Sequence, residues 1–108
     1  MEITKITDQY TVSGQITVED LDQLVEQGVE LLICNRPDNE AEGQPNFLSI
    51  ESRAKELGIQ TANIPFVGGQ LTKEHVDLFK EEIGKGLRTH AYCRTGNRCT
   101  IIWKESQS

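Results

Sequence analysis

The 108-residue sequence is short of several things, and each shortage removes a class of function. Cysteines number three, at positions 34, 93 and 99. That odd count at non-zinc spacings indicates neither a disulfide framework nor a Cys-x-x-Cys metal centre. Aromatics make up 6%, and no apolar run approaches the length of a membrane-spanning helix. Basic residues are outnumbered, 11 Lys and Arg against 17 Asp and Glu, for a formal charge of −6. A broad nucleic-acid-binding face is thereby excluded, though one local basic pocket is not. The opening Met-Glu-Ile-Thr-Lys lacks a basic-then-apolar signal region, so a cytoplasmic protein is expected. No linker, repeat or low-complexity stretch divides the chain, and only Lys104–Ser108 reads as frayed. What remains is a single domain over residues 1–108. At this length about 65% of the unfolded surface can be buried, enough for one modest core.

Within that domain one unit recurs: an amphipathic helix, a glycine, then an apolar strand. Thr17 with Asp20 three residues later has the capping-box spacing, and Ile16 and Leu21 occupy the staple positions. Leu21, Leu24, Val25 and Gly28 then share a helical face, and Val29–Cys34 follows as a buried strand. A second helix over Phe47–Leu57 carries Phe47, Ile50, Ala54 and Leu57 on one side, before a strand over Ile59–Val67. The third starts at Thr72, stapled by Leu71 and Val76, and precedes the strand Leu87–Tyr92. A last helix begins near Asn97–Cys99. The short segments Ile3–Ile6 and Tyr10–Val12 read as an edge hairpin. Alternating helices and strands predict an α/β fold, a single parallel-rich sheet with crossover helices. Ligands bind such sheets beyond the carboxyl ends of the strands. Those ends are Cys34–Asp38, Pro65–Gly69 and Cys93–Arg98.

The last of these carries the chemistry. In Cys93-Arg94-Thr95-Gly96-Asn97-Arg98 a strand runs through a short glycine-containing turn into a helix. Inward-pointing backbone N–H groups form an anion nest there, and the helix N-terminus adds about half a positive charge. Arg98 supplies a planar fork of donors that suits tetrahedral oxyanions. All three stabilise a thiolate, so Cys93 is expected to ionise well below the roughly 8.5 of a free thiol and to act as a nucleophile.

This loop resembles the active-site loop of rhodanese-type sulfurtransferases, which have four residues between Cys and Arg. More widely, Leu32–Asp38, Ile64–Thr72 and Ala91–Cys99 resemble the bacterial phosphatase-like domain of beta-lactamase-hydrolase-like proteins, across nearly the whole chain. That resemblance implies a dual-specificity-phosphatase-like fold, with the family's C-terminal helices missing from this chain. It implies Cys93 as nucleophile, Arg98 as anion-binding arginine, and Arg94, Thr95, Gly96 and Asn97 as the cradle. Because family members also occur fused to persulfide-oxidising enzymes, it implies sulfane-sulfur handling. Two departures matter. Such phosphatases carry an aspartate general acid where this chain reads Pro65-Phe66-Val67-Gly68-Gly69-Gln70, and a histidine where it has Tyr92. Without an acid an alkoxide leaves poorly, at a cost of about 10²–10⁴ in rate, whereas sulfite or a thiolate needs little protonation.

The leading expectation is therefore a sulfurtransferase that forms a Cys93 persulfide from a small-molecule sulfur donor. The alternatives are a phosphatase-like hydrolase with a phosphocysteine intermediate and a non-catalytic anion- or redox-sensing domain. The loop length supports the first, since a cradle of four residues suits one terminal sulfur better than a phosphoryl group. No cofactor and no metal are implied.

Among the remaining residues, Cys34 reads as an inert buried thiol. Cys99 reads as core packing, with a resolving thiol as the alternative. Asn35–Asp38 has turn character; alternatively Arg36 or Asp38 leans over the pocket, Asp38 being the substitute acid. His75 is expected at the surface and His90 in packing, on the strand face opposite Cys93. Ile101, Ile102 and Trp103 lack an evident partner, which leads to an expectation of self-association.

Overall fold

Each helix–glycine–strand unit is present in the computed structural model, which describes residues 1–108. Two N-terminal strands, β1 (Thr4–Thr7) and β2 (Tyr10–Ser13), are followed by helix α1 (Asp20–Glu26) and strand β3 (Leu31–Cys34). Helix α2 (Phe47–Glu56), strand β4 (Gln60–Asn63), helix α3 (Lys73–Ile83), strand β5 (Thr89–Tyr92) and helix α4 (Asn97–Ser106) complete the chain. The strands form one sheet in the order β1-β2-β5-β3-β4. Only β1 and β2 are antiparallel; β2–β5, β5–β3 and β3–β4 are parallel. No helix is long and apolar enough to cross a membrane.

Local chemistry explains the ends of these elements. Asn46 accepts from the Ser49 N–H to cap α2, and Thr72 with His75 makes a reciprocal capping box on α3. His75 is thus half-buried in the cap, its ring tilted against Phe66 at 5.6 Å, rather than a free surface residue. At α1 the expected box forms only by half. Asp20 Oδ2 accepts from the Thr17 N–H, but residues 17–20 make a turn and the helix begins after Glu19. The expected strand Ile59–Val67 is shorter because Pro65 has no N–H for the ladder. Pairing nonetheless continues irregularly, with Ile64 N donating to Cys34 O and Phe66 N to Asn35 O.

The core has two layers, one on each face of the sheet. On one side α3 and α4 bring Phe79 and Ile102 onto Tyr10, Val12, Leu31, Ile33 and Ala91. On the other, α1 and α2 bring Leu21, Leu24, Ile50 and Ala54 onto Leu32, Cys34 and Tyr92. Strand β3 is buried on both faces, which accounts for its unbroken Leu-Leu-Ile-Cys. Expected unpartnered residues of α4 find partners within the chain: Ile102 is fully buried, and Trp103 stacks on Tyr10 at 4.9 Å and 15°. Such a stack adds about 1 kcal/mol beyond area burial. Only Ile101 of the three remains exposed, so most of the ground for expecting self-association is removed.

One buried polar cluster pins β2 to β5. His90 Nδ1 lies 2.8 Å from Thr11 Oγ1, and Nε2 lies 2.8 Å from Ser13 Oγ. Because the Ser13 hydroxyl donates to Gly14 O, Ser13 Oγ accepts from Nε2–H, and Nδ1 accepts from Thr11. The ring is neutral, and burial lowers its pKa from 6.5 to about 4. As pH falls from 6.5 the unfolded chain takes up the proton first, so the stability due to neutral His90 is lost between 6.5 and about 4. The loss should reach about 3 kcal/mol. Melting temperatures of wild type and His90→Gln, followed from neutral pH to pH about 4, should converge with acid. Parallel curves would contradict this role for His90.

Candidate active site

The chain runs outward from β2 to β3 and β4, then returns to insert β5 between β2 and β3. Helices α2 and α4, which follow neighbouring strands β3 and β5, consequently lie on opposite faces of the sheet. A crevice opens where those two chain segments part, at the strands' carboxyl ends. Cys93 lies there, directly after β5, with Asn35 and Arg36 after β3.

Cys93 is fully buried, and its sulfur is surrounded by donors. Gly96 N–H reaches Sγ at 3.0 Å. The Cys99 thiol and the backbone of Cys99, Thr95 and Arg98 lie close enough to favour its charged form. These neighbours, led by the Cys99 thiol, outweigh desolvation and bring the Cys93 pKa from 9.0 down to about 5. Cys93 is a thiolate at neutral pH. Cys99 shows the opposite effect, burial first and the neighbouring Cys93 second pushing its pKa well up, so it remains a thiol and a donor. Cys34 is buried too, raised by desolvation, and its thiol points to Arg36 O at 3.2 Å.

Two glycines give the loop its shape. Gly96 has φ +94°, which lets its N–H turn back onto the sulfur. Gly14, at the end of β2, packs so closely that a Cβ there would lie 2.8 Å from Arg94 O. The same segment holds the loop by hydrogen bonds, Cys93 N to Ser13 O at 3.3 Å and Gln15 N to Arg94 O at 3.4 Å.

Arg98 is fixed from the far side. Its Nη1 donates to Glu40 Oε2 at 2.8 Å and to Phe66 O at 2.9 Å, and its Nη2 to Glu40 Oε1 at 2.8 Å. Three of five N–H donors are thereby used. The fork of Nε and the second Nη2 proton is left without a protein acceptor, and Glu40 first, with the Cys93 charge behind it, favours the ionised guanidinium. Glu40 is in turn held by Arg36, whose Nε reaches Oε1 at 3.0 Å and whose Nη1 reaches Gln15 at 2.9 Å. The Arg98 bond, aided by Arg36, lowers the Glu40 carboxyl from 4.5 to about 2.

An opening of about 370 Å³ beside the Arg98 guanidinium is lined by Glu40, Gly68, Arg94 and Arg98. Arg94 is exposed, and its side chain makes no hydrogen bond or ion pair. Thr95 contributes its backbone to the sulfur, but Asn97 does not, because its N–H is directed to Thr95 Oγ1 at 3.3 Å. Arg36 and Asp38, for which a place over the pocket is the alternative to a turn, do not line the opening. Arg36 is 5% exposed and acts on the site only through Glu40. Asp38 accepts from the Phe47 N–H at 2.9 Å, drawn to the start of α2. Glu40, Gln15, Gly14 and the Cys99 donor are site features that the sequence did not mark out.

The Cys99 bond has a measurable consequence. Cys99→Ala should raise the Cys93 pKa by about one unit, while Cys99→Ser, which keeps a donor, should shift it less. Ultraviolet thiolate absorbance against pH, with Cys93→Ala as baseline, reads the midpoint directly. An unmoved midpoint in Cys99→Ala would remove Cys99 from the set of donors.

Comparison with known proteins agrees with this geometry. The family of beta-lactamase hydrolase-like protein, phosphatase-like domain, matches residues 2–108. A beta-lactamase hydrolase-like protein of Agrobacterium fabrum is 28% identical over 104 residues, which is 95% of this chain and 24% of that protein. One from Xylella fastidiosa is 24% identical over 111 residues, 99% of this chain and 25% of that protein. The chain thus spans about a quarter of the length of these curated relatives. A crystal structure of a candidate phosphatase from Neisseria meningitidis shares 35% identity and a TM-score of 0.87, over 95% of this chain and 74% of that one. The α/β frame is dual-specificity-phosphatase-like, as in more distant phosphatase structures. With its match running through both the strand-end crevice and the Cys93–Arg98 loop, the chain belongs to the phosphatase-like domain family of the beta-lactamase hydrolase-like proteins.

Proposed function

We propose that the chain is a cysteine-dependent phosphohydrolase that carries a phosphoryl group on Cys93 Sγ. One observation carries the reading: an ionised Cys93 lies inside a ring of backbone N–H groups, with Arg98 clamped by Glu40 so that one fork of donors stays free. The thiolate attacks phosphorus, and the fork and N–H groups hold the equatorial oxygens as charge develops on them. Water then cleaves the S–P bond and returns the thiolate.

The phosphatase-like relatives favour this reading over the sulfurtransferase expected from the sequence, for which they offer no support. Sulfur transfer remains a second reading on two observations. Four residues separate Cys93 from Arg98, and the segment 65–70 has no acid. The weakness in the loop-length argument is physical. The size of the cradle depends on where the N–H groups point, and here the Gly96 N–H turns onto the sulfur at 3.0 Å while the backbone of Thr95, Arg98 and Cys99 also favours its charge.

Turnover of an activated aryl phosphate, with intact mass after acid quenching, tests the proposal. A phosphoryl adduct on Cys93 is expected. Cys93→Ser should reduce turnover to background, since an alcohol does not ionise near neutral pH. Arg98→Lys should lose about 10²-fold, a point charge replacing the fork. Parallel assays with thiosulfate and glutathione persulfide should leave no added sulfur on Cys93; a persulfide without phosphate release would reverse the assignment.

A further inference from the structure

Three features of the opening remain after the hydrolytic site is described. First, Arg94 is a second guanidinium at the same mouth as Arg98, exposed and without a partner, in a chain of net charge −6. Every other arginine (36, 53, 88 and 98) makes a hydrogen bond within the protein. Second, none of the four residues lining the mouth is apolar, so a substrate there meets charge and backbone rather than a wall for an aromatic ring. Third, no acid is available to a leaving group. Segment 65–70 has no carboxylate, Asp38 is bonded to the start of α2, and both Glu40 oxygens accept from arginine.

We infer that the substrate is a phosphoanhydride, with Arg94 holding the second phosphate while Arg98 and the loop hold the one attacked. The inference rests on the phosphohydrolase reading and narrows it. A leaving group that must depart unprotonated has to be a weak base. The phosphate end of an anhydride has a pKa of about 6, against about 10 for a phenol. The same leaving group carries charge that a free guanidinium recognises in a planar fork. The missing acid and the unpaired arginine therefore call for one chemistry.

The steps balance without a further reactant. The Cys93 thiolate forms a bond to the terminal phosphorus, and the P–O bond to the bridging oxygen breaks. The electron pair stays on that oxygen, which leaves as part of a phosphate or phosphate monoester. Water then adds to phosphorus, the S–P pair returns to sulfur, and the protons of water stay on the released phosphate. The cleft between α3 and α4, which adjoins Arg98 and includes Phe66, Leu71, Val76 and Ile101, offers the rival outcome of an aryl or alkyl body lying there.

The full chain should be assayed with inorganic pyrophosphate, a nucleoside diphosphate, an activated aryl phosphate and phosphoserine. Diphosphates should exceed phosphoserine in kcat/KM by at least about 100-fold. Arg94→Gln should lower the ratio of diphosphate to aryl phosphate turnover by at least about tenfold, and Arg94→Lys should lower it less. Melting curves check that each variant is folded, as expected for an exposed, unpartnered side chain. An unchanged ratio in Arg94→Gln, or phosphoserine turned over as fast as the diphosphates, overturns the inference. Aryl phosphate turnover through a Cys93 adduct without diphosphate turnover also overturns it and leaves the phosphohydrolase intact. Absence of turnover and of adduct with all four overturns both.

Discussion

A negative charge on a fully buried sulfur is the constraint around which this molecule is built. An ion without solvent is tolerated only if its neighbourhood supplies what water would have supplied. Here the supply comes from a helix start, a second thiol and an arginine, all within six residues of Cys93. The arginine brings a charge of its own to place, and Glu40 answers it; Glu40 is shared with Arg36, and Arg36 with Gln15. Ends of β2, β3 and β5 are thereby joined in one polar chain. Removing Glu40 would leave the buried Arg36 and the partly buried Arg98 without their shared acceptor, so the network is coupled through that carboxylate.

The sheet order is what brings those ends together. Inserting β5 between β2 and β3 sets Ser13, Asn35 and Cys93 near one another at the carboxyl ends of the strands. Asn35 shows how tightly that end is tied. Its backbone N–H goes to Tyr92 O, its side-chain amide to Ile64 O, and its carbonyl oxygen receives Phe66 N–H. Phe66 O then receives Arg98. A residue two strands away in the sequence is thus coupled to the orientation of the anion-binding fork through two successive hydrogen bonds. The unpartnered oxygen of the Asn35 side chain is the one buried polar atom left outside this arrangement.

How much of this was legible depended on whether the information was local. Helix–glycine–strand units could be read because each is written in one short stretch of consecutive residues, and α3 begins after the Thr72 that marked its start. The Cys93–Arg98 loop could be read for the same reason. Glu40 could not. It sits in an irregular segment with Asp38 and Glu42 nearby, and without a helical or strand period nothing in the sequence says which carboxylate faces inward. Gly14 was hidden by topology: a hairpin at the sheet edge was expected, but the parallel pairing of β2 with β5 that carries Gly14 to Arg94 was not. The sulfur-transfer expectation came from the missing acid in residues 65–70, a family resemblance and the count of residues between Cys93 and Arg98, whereas the donors are set by backbone direction.

The central position of β5 also bears on how the chain acquires its shape. A ribosome releases β1 to β4 and three helices before Thr89–Tyr92 emerges, and until then β2 and β3 each present an open edge where β5 belongs. Such edges invite pairing with other chains, and contacts this distant in sequence form slowly. The strand that closes the gap is followed at once by the nucleophile and its helix. Productive folding and assembly of the cradle are therefore a single late event, and a nascent chain stalled short of it is at once inactive and open to misassembly.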